Sequence, residues 1–158
     1  MKKDAIKNYS EVIQVIKNAI LKSRYRAAAL ANKELLSLYY GIGKYISENS
    51  REGFWGTSAI ETISEKLQQE LPGLRGFSAV NIKRMRQFYE AWSPFFAISQ
   101  ISTKKKKHAS SGAITNSPLP SDEFKLINIH HFLTIGFSHH YELLIKTTLL
   151  EERLFYIE

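Results

Sequence analysis

The sequence predicts an all-α domain: a helix-turn-helix core, with room for a wing, behind long N-terminal helices. Two observations carry this expectation. Apolar residues recur at helical spacing through most of the first 48 residues and again across residues 57–92. Serines, prolines and glycines stand where helices must start and stop. One domain spanning residues 1–158 is expected, since 44% apolar content is ordinary for a chain that buries its own core.

The first helical stretch runs over about residues 10–48. Ile13, Ile16, Ile20, Ala27, Ala31, Leu35, Leu38, Ile42 and Ile46 recur at helical spacing, with Ser10 as N-cap. A continuous helix of that length would exceed the width of a compact domain, at about 1.5 Å per residue. A break near Asn32, or at Gly41 and Gly43, is therefore expected, and packing against a second copy is the alternative. The two glycines make no phosphate loop, because Ile46 stands where a third would be needed.

Thr57 is expected to cap a second helix, over about residues 57–71, carrying Ile60, Ile63, Leu67 and Leu71; Pro72 and Gly73 end it. Ser78 caps a third, over about 78–92. There Ile82, Met85, Tyr89 and Trp92 form the inner stripe, and the helix is expected to stop before Pro94. Residues 93–125 read as a basic, flexible loop or insertion, flanked by β-permissive runs at 97–101 and 124–129 that could pair as a hairpin. Two last helices are expected at about 138–147, capped by Ser138, and 149–157.

Charge points toward a partner. The chain carries a formal +7, and residues 75–107 account for all of it, with eight basic residues against the single acid Glu90. A localised cationic segment suits a polyanion, whose condensed counterions it releases. The outward stripe of the third helix, Val80, Lys83, Arg84 and Gln87 with Arg86 at its border, is what a recognition helix would offer to double-stranded DNA. Ser78 at its start and the run Lys104, Lys105, Lys106 and Lys107 would add backbone contacts. The rival reading is a protein-interaction or oligomerisation module in which the lysine run only solvates a loop; a homodimer through the first helices belongs to either.

Other chemistry finds little support. Cysteine is absent, which excludes disulfides and thiolate metal sites and suits a reducing, cytoplasmic setting. The longest apolar run, residues 27–31, is far short of the roughly 18 a membrane span needs, so no membrane partner is expected. Glu123-Phe124-Lys125 mimics a nuclease E-x-K but has no partner acid upstream. His130, His131, His139 and His140 come as neighbours about 100° apart on a helix and share no ion easily. No catalytic residue, metal ligand or cofactor is expected, and His139 is assigned a structural hydrogen bond.

Taken together, Trp55-Gly56, Ile60, Leu67, Leu71-Pro72-Gly73, Gly76-Phe77-Ser78, Asn81, Met85-Arg86 and Phe88-Tyr89 resemble the N-terminal domain of the YhcG-type PD-(D/E)XK nuclease family. Asn32, Glu34-Leu35, Tyr40, Ile42-Gly43, Ser138-His139, Arg153 and Phe155-Tyr156 extend the resemblance over most of the chain, apart from a stretch near residues 95–125. The resemblance implies a non-catalytic targeting module placed ahead of a C-terminal nuclease domain. This chain then reads as an isolated N-terminal fragment or truncated member.

Overall fold

The computed structural model describes residues 2–51, 58–101 and 128–157. Six helices make up the described residues: α1 (Lys2–Arg51), α2 (Ala59–Glu70), α3 (Ala79–Ile101), α4 (Asn128–Thr134), α5 (Phe137–Lys146) and α6 (Leu150–Ile157). No strand occurs among them, so the all-α expectation holds. Thr57, Glu123 to Lys125 and the four lysines at 104–107 lie outside the described residues.

α1 is one unbroken helix of 50 residues, about 75 Å long at 1.5 Å per residue. The predicted break is therefore overturned, and so is the N-cap at Ser10, which lies eight residues inside. Three reasons are visible. No proline interrupts residues 2–51, and residues 2–9 hold neither glycine nor proline. Asn32 spends its amide outside its own helix, donating to the carbonyls of Leu133 at 2.7 Å and Ile135 at 3.1 Å. Gly43 stays helical because α3 crosses against it: a Cβ there would stand 2.0 Å from the Met85 carbonyl oxygen.

The C-terminal half of α1 packs along α3. Leu36 and Tyr40 meet Phe88, Trp92, Phe95 and Phe96 in the larger buried cluster, which Phe132 from α4 and Ile157 from α6 complete. Aromatic edges do much of the joining. Phe132 lies 5.0 Å from Trp92 and 5.4 Å from Phe96, centroid to centroid and nearly perpendicular. A smaller cluster, Ile46, Ile60 and Ile82, joins α1, α2 and α3 at the other end.

α3 does not stop at Pro94 but runs on to Ile101, and that corrects both the boundary and the proposed hairpin strand at 97–101. Pro94 has no N–H for the Glu90 carbonyl, and the Ser93 hydroxyl donates to that oxygen instead, at 3.2 Å. Phe95 and Phe96, both buried, hold the next turn in place. α5 begins from Gly136, so Ser138 sits in its first turn and does not cap it.

Candidate nucleic-acid interface

The outer face of α3 is built by α2 and the connection from Leu71 to Ser78. Gly73 and Gly76 hold φ of +87° and +89° there, a region that side-chain-bearing residues rarely adopt. The Ser64 hydroxyl donates to the Phe77 carbonyl at 3.0 Å and ties the connection back onto α2. Ser78 then caps α3 as expected, its hydroxyl accepting the Asn81 amide at 3.4 Å.

This framework turns Val80, Lys83 and Gln87 outward together, Val80 being 58% exposed. The charges on that face have protein partners. Lys83 donates to the Glu61 carboxylate of α2 at 2.6 Å, and this hydrogen bond holds the Glu61 carboxyl below the usual range. Arg84 lies with its guanidinium 4.7 Å over the Tyr141 ring of α5 and donates to the side-chain Oδ1 of Asn81 at 3.4 Å. Arg86 turns to the flank, where it approaches Glu90 at 4.0 Å; Glu90 also accepts from the Ser47 hydroxyl of α1 at 2.8 Å. The structure thus brings Val80, Lys83 and Gln87 to one surface, leaves Ser78 exposed at the start of the helix, gives Arg84 a stacking partner and sets Arg86 aside.

Histidine chemistry differs from the expectation at one residue. His140, not His139, is the structural histidine: it is fully buried, and Nε2 bonds the Phe132 carbonyl at 2.9 Å. Phe88, Trp92 and Phe132 surround its ring. Desolvation pushes its pKa down to about 4, so the ring is neutral and Nε2 carries the donated proton. His139 stays exposed, one residue along and about 100° around the helix. Among the described residues no group of three or more His, Asp or Glu could hold a metal ion.

Two residues that the resemblance singled out prove to be clamps. Asn32 caps the end of α4, as described. Arg153 donates to the carbonyls of Ala91 on α3 at 3.1 Å, Thr147 at 3.3 Å and Thr148 at 3.0 Å, so it closes the C-terminus of α5 while tying α6 to α3. Sequence pattern alone assigns neither role, since each partner is a backbone carbonyl in another element. No helix among the described residues is long and apolar enough to cross a membrane.

The family model described as the DUF1016 N-terminal domain matches residues 15–158. Neither a curated protein nor a solved structure matches the chain.

Proposed function

Because the chain belongs to the DUF1016 N-terminal domain family, the family of the YhcG-type N-terminal domain, we propose that it is a non-catalytic module that docks on double-stranded DNA and positions an attached nuclease domain. The observation that carries this reading is the outward stripe of Val80, Lys83 and Gln87 on α3, beside a segment that holds the entire formal excess of +7. The Lys83 pair with Glu61 is half exposed, so a DNA phosphate can replace the carboxylate at little cost. Lys104 to Lys107 would add phosphate contacts and salt dependence, and the nuclease chemistry would belong to the domain that follows in full-length relatives.

Fluorescence anisotropy of the chain with labelled duplex DNA at two salt concentrations tests the reading. Binding in the micromolar range that weakens with salt is expected, and Lys83→Glu combined with Gln87→Glu should abolish it. Arg84 is left in place because its stack on Tyr141 is part of the packing. No binding at low salt would overturn the proposal. The second reading, an assembly module, is favoured by a different surface: the exposed apolar side chains of α1.

A further inference from the structure

Among the described residues, nothing packs against the N-terminal half of α1. Every side chain from residue 9 to residue 28 is exposed, among them Tyr9 at 70%, Ile13 at 64%, Ile16 at 53% and Ile20 at 50%; Leu30, just beyond, is 60% exposed. Most of a helix's stability in a protein comes from packing an apolar face, which this stretch of the described structure does not do. The apolar residues are also ordered. Ile13, Ile20 and Ala27 repeat every seven residues, and so do Tyr9, Ile16, Ser23 and Leu30, the two sets interleaving at steps of three and four. This is the seam pattern of a coiled coil, with Ile13 and Ile20 at the first (a) position and Ile16 and Leu30 at the fourth (d).

The other described helices pack against the opposite face of α1. Asn32, Leu36, Tyr40, Gly43 and Ser47 face the other helices through their bonds, burial and close approach. At about 100° per residue those positions centre roughly 180° from the seam. The straight helix therefore points its stripe away from its own core.

We propose that residues 9–30 of α1 pair with the same residues of a second copy as a parallel, two-stranded coiled coil. Charge selects both the occupant and the direction. The positions flanking the seam are Val12, Ala19 and Arg26 on one side and Lys17, Arg24 and Ala31 on the other. In a parallel pair each residue of the first set faces the partner's residue five further on: Val12 meets Lys17, Ala19 meets Arg24 and Arg26 meets Ala31. No like charges oppose, and each long basic side chain can lay its methylenes over a small apolar neighbour. In the antiparallel register that overlaps the full seam, Lys17 of each copy would oppose Arg24 of the other, which is repulsive. This pairing does not depend on the DNA-docking reading.

The absence of cysteine makes the test clean. Sedimentation equilibrium of the whole chain should give twice the 18.2 kDa chain mass. Ser23→Cys, at a d position, should form an intermolecular disulfide on mild oxidation, because only a parallel, in-register pair brings that residue opposite its own copy within bridging distance. Ile16→Glu with Ile20→Glu should give a monomer whose thermal unfolding of the remaining helices is unchanged. A monomer of the parent chain at tens of micromolar would overturn the proposal, as would a trimer or tetramer. A dimer in which Ser23→Cys fails to cross-link would overturn the parallel arrangement. A parent chain that stays monomeric yet sediments with phosphatidylserine vesicles would assign the stripe to an anionic membrane surface and likewise overturn it.

Discussion

Replacing Gly43 by alanine should destabilise the protein, although alanine is the better helix former. Propensity alone would stabilise an interior helix position by about 1 kcal/mol. Against this, the new Cβ would stand 2.0 Å from the Met85 carbonyl oxygen, 2.7 Å from the Met85 carbonyl carbon and 2.9 Å from the Tyr89 Cβ. Relaxed carbon contacts lie near 3.5–4.0 Å, so α1 and α3 must part by about 1 Å or more. The obstacle is backbone, so no rotamer change can relieve it. Overpacking of this kind costs about 1–3 kcal/mol. Separation also strips dispersion contacts from Leu36 and Tyr40 against Phe88 and Trp92, where a gap of about 0.5–1 Å already forfeits a quarter to a half of each. The net expectation is a loss of about 2 kcal/mol, or a melting temperature lower by about 4–8 °C in a chain of this size. Thermal unfolding followed by far-ultraviolet circular dichroism reads this directly. A Gly43→Ala variant melting at or above the parent would refute the close crossing of α1 and α3.

Two further outcomes follow from buried groups. The folded pKa of His140 lies near 4, below the value of 6.5 for the free side chain; the unfolded chain therefore takes up this proton first as pH falls. Stability from this group is complete above pH 6.5, declines between about 6.5 and 4, and levels off below, a total of roughly 3 kcal/mol. Urea midpoints across that range should show the decline, and His140→Phe should flatten it; an unchanged slope would mean the ring is not buried as described. Arg153→Lys should destabilise nearly as much as Arg153→Met, by about 1–3 kcal/mol, because one ammonium cannot reproduce a fork that reaches Ala91, Thr147 and Thr148 together. Full rescue by lysine in urea unfolding would contradict that geometry.

What could be read in advance divides along a physical line. α2, α3, α5 and α6 announced themselves because their signals are local: Pro72 after one helix, Ser78 before the next, and the stripe from Ile82 to Trp92. The errors came where a distant residue overrode a local one. Gly43 looks like a break until α3 lies against it. Pro94 looks like a stop until Ser93 satisfies the carbonyl it leaves free and Phe95 and Phe96 anchor the turn beyond. The expected inner stripe included Tyr89 and not Phe88, yet Phe88 is fully buried and Tyr89 only partly, because α4 and α5 close over that side with Phe132 and Phe137. α4 itself is only seven residues long, too short to show a period. At the candidate interface the exposed stripe was legible, whereas the partners of its charges, Glu61 and Tyr141, lie 22 and 57 residues away from theirs and leave no local mark.

Because α1 is unbroken from the exposed seam to the buried seam, it fixes the relation between its two ends by counting residues. One residue inserted between Leu30 and Asn32 would lengthen the arm by about 1.5 Å and turn it by about 100°, while seven would lengthen it by about 10 Å and return it to within about 20° of its starting angle. Anything gripped at the far end is therefore presented at a defined azimuth, and relatives could change reach without changing aim only in steps of seven, or of eleven.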